Sequence, residues 1–461
     1  MAEPLDVKNK LVLVAGLGKS GVAAALFLSE RGARVTASDA KAEDELRGDI
    51  GALLDHGIAV ETGGHGERTF RQQDLIVVSP GVPTSVPQLA QACAMGIPVI
   101  GEIELASRFL KGHIVAITGS NGKTTTTALA GNVISWGGYE SLVGGNIGTP
   151  AISLVPEATE DSYVVLEVSS FQLETIQTFH PEIAVVLNIT PDHLDRHGSF
   201  DAYFAAKRRI FQNQTASDFA VLNADDPQCA RIAEGIRAQT RWFSRKRELE
   251  QGAFVRDGRI LHRGDGGEQD IMAAADIPLK GAHNLENVLA AVCVGMIVNC
   301  EPGRIAAAVR EFKAVEHRLE YVATINGVEY YNDSKATNVD ATIKALESFP
   351  RNIHIIMGGK DKGAPYTVLK PLLQERAKRV YTIGAAAKKI EAEIAGAAEI
   401  LPCGTLDVAV RRAAEAAQPW DVILLAPACA SFDQFESYEH RGRMFKELVQ
   451  SLAAKKSAIS N

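Results

Sequence analysis

Short apolar runs alternate with helical patterns along nearly the whole chain, and this alternation predicts parallel sheets covered by helices, an α/β fold. Residues 11–16 (LVLVAG) read as a buried strand, 22–31 as a helix, 34–38 and 74–78 as further strands: the units of a small doubly wound, Rossmann-like domain. A strand at 114–118 then runs into a Gly-rich loop and a helix through about residue 136, with further strands at 163–166, 183–187 and 219–222. Residues 250–276 break the rhythm with a Gly-rich, charged stretch of short alternating strands such as 253–255, and a helix at 283–298 closes the block. After Val315 the pattern resets with a hairpin of 321–325 and 328–331 around Asn326-Gly327, a strong turn signal; strands at 353–357, 380–383 and 422–426 alternate with helices beyond it. Three α/β domains follow, 1–102, 103–315 and 316–461, which suits a length of 461 residues. The tail from Ala454 is expected to fray.

Composition narrows the class. A hydrophobic fraction of 46% beside 23% charged residues is that of a soluble globular chain. The net charge of -8 argues against a nucleic-acid-binding surface. It does not argue against phosphate ligands, which backbone N–H groups hold without net basic charge. Six scattered cysteines with no CxxC pair read as reduced, mostly buried thiols of a cytoplasmic protein. No run approaches the ~18 apolar residues of a membrane span, and no leader peptide is evident, so no membrane insertion is expected.

The strongest local signal is Gly119-Ser120-Asn121-Gly122-Lys123-Thr124-Thr125, set between a strand and a helix. Glycines let the backbone curl around phosphate, Lys123 brings charge to the β- and γ-phosphates, and Thr124 offers a hydroxyl to Mg²⁺. Ile117 stands where the general pattern has its first glycine, and an ordinary Gly-rich turn is the alternative reading. Glu167 ends an apolar strand, where a side chain is delivered to a nucleotide crevice. The loop Asn188–His197 gathers two imidazoles and two carboxylates. Mg²⁺ prefers oxygen, so His193 is an unusual ligand on chemistry alone, and a polar loop with satisfied hydrogen bonds is the bland reading. Lys207, taken by itself, reads as a solvated helix lysine.

Gly16-Leu17-Gly18-Lys19-Ser20-Gly21 after a strand, with Asp39 ending the next strand, forms a dinucleotide-type fingerprint for a phosphate-bearing ligand with a sugar. It is also compatible with a tight turn that binds nothing. Three later loops, 332–338, 358–363 and 426–433, each follow an apolar strand and gather polar side chains, which together suit an anionic substrate. An NAD-dependent oxidoreductase would use Gly16–Gly21 and Asp39 but leave the phosphate loop idle. A nucleotide-regulated binding protein would keep that loop but not need Glu167, His193 and Lys207.

In their order, GSNGKTT at Gly119, NIGTP at Asn146, EVSSFQLE at Glu167, NITPDHLDRH at Asn188, GAHNLEN at Gly281, HRLE at His317, NDSKATN at Asn332 and PACASFDQF at Pro427 closely resemble the Mur ligases, over nearly the whole chain. Those enzymes add amino acids to the peptidoglycan precursor. Within the family the resemblance is strongest to members that add D-glutamate to UDP-N-acetylmuramoyl-L-alanine, and it implies an ATP-dependent acid–D-amino-acid ligase acting through an acyl phosphate, with a central P-loop ATPase domain. It further implies that Gly119, Ser120, Asn121, Gly122, Lys123, Thr124 and Thr125 bind ATP, joined by Asn284, Asn287, Arg318, Asp333 and Lys335. Ser20, Asp39, Gly81 and Asn146 would hold the UDP-substrate. Thr337, Lys362, Ser431 and Phe432 would take D-glutamate, with Tyr438 a further candidate. Thr124, Glu167, His193 and a carbamylated Lys207, loaded with CO₂, would serve two Mg²⁺ ions. Lys123, His193 and Lys207 are the expected catalytic groups, and a cytoplasmic monomer is expected. Lys41, after Asp39, departs from the arginine of some relatives and lacks its bidentate fork.

Overall fold

The structure, a computed structural model, describes residues 5–313 and 315–457, without the side chains of 47–49, 195 and 454–457. Its architecture is three-domain α/β, with one sheet in each domain.

The first sheet is built from β1 (Leu11–Ala15), β2 (Arg34–Ser38), β3 (Ala59–Glu61), β4 (Leu75–Val78) and β5 (Val99–Gly101). All neighbours are parallel, in the order β3-β2-β1-β4-β5. The chain reverses direction of winding between β1 and β4, the kind of crevice where such sheets bind ligands. Gly21 is needed there for approach: a Cβ on it would stand 1.8 Å from the carbonyl oxygen of Gly16.

The second sheet has nine strands: β6 (His113–Thr118), β7 (Ser141–Gly145), β8 (Tyr163–Glu167), β9 (Ile183–Val186), β10 (Phe219–Asn223), β11 (Gln239–Ser244), β12 (Gly252–Arg256), β13 (Arg259–Gly264) and β14 (Gly267–Ala273). Their order is β14-β13-β12-β11-β10-β9-β6-β8-β7. It is parallel from β7 to β12; the irregular stretch read from sequence becomes the antiparallel β12-β13-β14 extension. Strands β6, β8 and β9 are apolar along their length because helices cover both faces.

These two sheets belong to one compact unit, Met1–Asp276 with Glu286–Arg310, and share a continuous hydrophobic core. The helix Glu102–Ser107 fastens them through two buried carboxylates. Glu104 accepts the backbone N–H groups of Gln177 at 2.8 Å, Thr178 at 3.0 Å and Phe179 at 2.9 Å. Glu102 accepts from Ile152 N at 2.8 Å, while its other oxygen finds no partner. Burial pushes the Glu102 carboxyl up to about 7.

The second compact unit, Ile277–Leu285 with Glu311–Asn461, carries the third sheet. Its strands are β15 (Glu320–Ile325), β16 (Val328–Asn332), β17 (Ile353–Gly358), β18 (Ala377–Ile383), β19 (Glu399–Gly404) and β20 (Val422–Leu425), in the order β15-β16-β20-β17-β18-β19. Only β15 is antiparallel to its neighbour. Asn326 and Gly327 both take left-handed φ values, 53° and 75°, as a two-residue hairpin turn demands.

The strands that sequence reading missed are β3, β5, β7, β11 and β19, and all but β11 are sheet edges. Edge strands bury less and so carry weaker apolar signatures. The last helix, Tyr438–Ser457, runs through the start of the tail expected to fray; residues 458–461 lie outside the described ones.

Candidate active site

The phosphate loop leaves β6 and enters the helix Lys123–Trp136. Gly122 holds φ +85°, and a Cβ there would come within 2.3 Å of Asn287 Oδ1, so glycine is required on both counts. Lys123 Nζ donates to the carbonyls of Gly119 and Ser120, each at 2.8 Å. The parallel register sets Ile117 beside Glu167 on β8 and Thr118 beside Val186 on β9, so three strand ends open at one edge.

There, Thr124 Oγ1 donates to Glu167 Oε2 at 2.8 Å, and Asn146 Nδ2 donates to Glu167 Oε1 at 2.8 Å. Glu167 is 2% exposed. Hydroxyl and carboxylate oxygens held this close at a P-loop match the all-oxygen preference of Mg²⁺. The donor set fits that ion.

Lys207 is the clearest departure from a reading of residue types alone. It is 1% exposed, not solvated. Its Nζ donates to the carbonyl of Gly119 at 2.8 Å and to Thr118 Oγ1 at 3.3 Å. Burial first, then the charge of Lys123, holds this amine well below the usual lysine range, against the opposing pull of Asp192 and Glu167. A buried amine of lowered basicity is available as a neutral nucleophile.

His193 is 46% exposed at its side chain, with a left-handed backbone (φ 52°), and heads the short helix Leu194–His197. Its ring meets the edge of Phe171, centroids 4.9 Å apart.

On the first sheet, Ser20 lies in the first turn of the helix Lys19–Glu30, Asp39 follows β2 and Gly81 follows β4, all at the ends of adjacent strands. Asp39 braces the Gly-rich turn itself: Oδ2 accepts Leu17 N at 2.6 Å and Oδ1 accepts Lys41 N at 2.9 Å. Lys41 is exposed.

In the second unit, loops following β16, β17 and β20, three adjacent strands, gather the remaining candidates. Burial pushes the Asp333 carboxyl up to about 7, opposed by the nearby Arg318 charge. Lys335 Nζ lies 3.7 Å above the ring of Tyr438. Lys362 Nζ donates to Thr337 Oγ1 at 3.3 Å. Ser431 is buried at 1% exposure and Phe432 stands out at 68%. Asn284 Nδ2 donates to the carbonyl of Lys280 at 2.6 Å.

Several residues that shape the site carried no role in the sequence reading. Asn188 grips Asn121 twice: Asn121 N donates to Oδ1 at 2.8 Å, and Nδ2 donates to the Asn121 carbonyl at 3.1 Å. Tyr203 Oη meets Ser120 Oγ at 2.9 Å. Its spacing of four from Lys207 on one helix was the available signal. Arg441, fully buried, donates to Ser334 Oγ at 3.0 Å, the Ser334 carbonyl at 2.8 Å and the Cys429 carbonyl at 3.2 Å, joining two of the loops. In sequence it is one more charge in EHRGR.

Comparison with known proteins matches the three parts in order. The family descriptions are "Mur ligase MurD-like, N-terminal domain" over residues 10–101, "Mur ligase middle domain" over 117–295 and "Mur ligase, glutamate ligase domain" over 317–429. The UDP-N-acetylmuramoylalanine--D-glutamate ligase of Koribacter versatilis (strain Ellin345) is 64% identical, over 97% of this chain and 99% of that one. The chain belongs to the Mur ligase family. A second Mur ligase relative, the protein of the same description from Acidobacterium capsulatum, is 58% identical over 96% of this chain and 97% of its own. Among solved structures, the UDP-N-acetylmuramate-alanine ligase of Thermotoga maritima shares the Mur ligase fold at 21% identity, with a TM-score of 0.61 over 96% of this chain and 99% of that one.

Proposed function

We propose that this Mur ligase is an ATP-dependent acid–D-amino-acid ligase that joins D-glutamate to UDP-N-acetylmuramoyl-L-alanine in peptidoglycan biosynthesis. The observation that carries the reading is the phosphate loop whose Thr124 hydroxyl meets the Glu167 carboxylate of β8 at 2.8 Å, beside the buried amine of Lys207. The high identity to curated D-glutamate ligases along the full length supports the choice of amino acid.

Carboxylate is a poor acyl donor, because its leaving group would be oxide. ATP phosphorylates the L-alanine carboxylate of the UDP-substrate, giving an acyl phosphate and ADP. The amine of D-glutamate attacks its carbonyl carbon, the C–N bond forms, and phosphate leaves with the bonding pair as the amine loses a proton. Gly119–Thr125 wrap the phosphates, with the backbone N–H groups at the start of the helix Lys123–Trp136 turned to them, and Lys123 offsets charge growing on the transferred group. Mg²⁺, which Thr124 and Glu167 would hold, supplies further screening of that charge when bound. His193 and Lys207 are assigned to a second ion.

Lys207 is assigned a carbamate. Its neutral amine adds to CO₂, the N–C bond forms and one proton is released, leaving an anionic oxygen donor in place of a cation. The lowered basicity of the buried amine favours this step.

Asn284, Asn287, Arg318, Asp333 and Lys335 are assigned to ATP. Ser20, Asp39, Gly81 and Asn146 are assigned to the UDP-substrate, and Thr337, Lys362, Ser431 and Phe432 to D-glutamate, with Tyr438 as a further contact. Among the described residues no helix is long and apolar enough to cross a membrane. The reading places a monomeric enzyme in the cytoplasm, where ATP and UDP-linked precursors are held.

Phosphate release from ATP with UDP-N-acetylmuramoyl-L-alanine tests the proposal, with D-glutamate, L-alanine, L-lysine and meso-diaminopimelate as acceptors. Turnover confined to D-glutamate is expected. Preference for another acceptor would overturn the assignment.

A further inference from the structure

Arg196 lies one turn beyond His193, and the scheme above gives it no task. Its side chain is 17% exposed and reaches the first sheet. Nη1 donates to the carbonyl of Pro80 at 2.9 Å and Nη2 to the carbonyl of Val82 at 3.1 Å. Nη2 also stands 3.5 Å from Oε2 of Glu174, and Cζ lies 4.1 Å above the ring centroid of Phe171.

The contacts continue inward. Glu174 Oε1 faces His197 Nδ1 at 3.2 Å, and His197 Nε2 lies 3.0 Å from Ser170 Oγ. Phe171, under Arg196, also stacks on His197 and meets the ring of His193 edge-on. A packed, hydrogen-bonded cluster thus joins the loop after β4, the segment after Glu167, and the loop of His193. A small cavity lined by Ser79, Pro80, Val82, Phe171, Gln172 and Arg196 adjoins it.

We propose that Arg196 is a positioning residue that ties the Ser79–Val82 loop, part of the UDP-substrate seat, to the metal-site loop carrying His193. Occupancy of one loop is thereby coupled energetically to order in the other. The inference rests on the proposed function for the identity of both ligands. Only a planar fork can serve two carbonyls and a carboxylate while lying flat on an aromatic ring; an ammonium group presents no such plane. Coupling of this kind is reciprocal: Mg²⁺ and nucleotide at the metal site must tighten the UDP-substrate as much as that substrate tightens them.

The test is calorimetric titration of UDP-N-acetylmuramoyl-L-alanine into wild-type, Arg196→Met and Arg196→Lys protein, with and without Mg²⁺ and a non-hydrolysable ATP analogue, beside steady-state kinetics and melting temperature. For Arg196→Met, the KM of the UDP-substrate at saturating ATP rises about tenfold and that of ATP at saturating UDP-substrate rises with it, while that of D-glutamate stays within about twofold. The tightening of UDP-substrate by Mg²⁺ and nucleotide, present in wild type, is lost, and Arg196→Lys recovers little of it. UDP-substrate affinity within about twofold of wild type with tightening intact overturns the proposal; so does a parallel rise of all three KM values with a fall in melting temperature, the mark of a general structural role. If Arg196→Met does not fold, Arg196→Lys decides by the same criteria. Failure of wild-type protein to turn over UDP-N-acetylmuramoyl-L-alanine with D-glutamate would instead overturn the function on which the proposal rests.

Discussion

Asn188 and Asn121 form a reciprocal pair, side chain to backbone, in which one amide satisfies both the N–H and the carbonyl of a phosphate-loop residue. The pair fixes the curl of the loop just ahead of the helix N-terminus proposed to meet the triphosphate. Asn188→Ala removes two hydrogen bonds, each worth about 1 kcal/mol net, so the KM of ATP should rise about tenfold or more. The KM of D-glutamate is expected to hold steady in the same assays. Unchanged ATP kinetics would show that the loop keeps its shape without Asn188.

Lys207→Ala deletes both the amine and the carbamate assigned to it. Turnover should fall by about a thousandfold or more, with partial recovery on adding small carboxylates such as acetate that fit the vacated space. Steady-state rates with and without the added acid provide the readout. Full activity of the variant would sink the carbamate.

Glu102 titrates against the fold. Its folded value of about 7 lies above the ordinary 4.5, so the contribution of its protonated form is fully present below pH 4.5 and is lost as pH rises through 7. Glu102→Gln should therefore be more stable than wild type at pH 8, by an amount on the order of 3 kcal/mol at most, with the difference vanishing near pH 4. Urea unfolding at the two pH values measures it. A variant less stable than wild type at pH 8 would mean that the ionised carboxylate is held favourably by Ile152 and its neighbours.

Arg441 is buried without a carboxylate within ion-pair distance among the described residues, and burial lowers its guanidinium to about 10. Its carbonyl partners on Ser334 and Cys429 have no solvent to turn to. Arg441→Met should cost roughly 3 kcal/mol or more of stability, since each orphaned buried acceptor costs about 1–3 kcal/mol. Chemical denaturation checks this; a loss under about 1 kcal/mol would show that the loops repack without it.

What could be read in advance was what is contiguous in the chain. Gly119–Thr125 is one short string with its strand and helix attached, and the Asn326-Gly327 turn is fixed by two adjacent residues. Lys207 is different. Its neighbours in sequence describe an ordinary helix, and its burial arises from packing against Gly119 and Thr118, 88 and 89 residues earlier. Arg196 and Arg441 escaped for the same reason: what marks them is the carbonyls they reach, Pro80 and Ser334, and no local pattern announces those. Edge strands such as β7 and β19 were lost because partial burial blurs their alternation.

The pairing of Ile117 with Glu167 and of Thr118 with Val186 sets rules for tolerance to insertion. A residue added within β6, β8 or β9 would turn every later side chain of that strand to the opposite face, carrying the phosphate loop, Glu167 or Asn188 away from its partners. The hairpin tips at Asp257-Gly258 and Asp265-Gly266 sit in the antiparallel extension and carry none of the site's side chains. Tags, reporter peptides or whole domains belong at those tips, while the lengths of three central strands must be left alone.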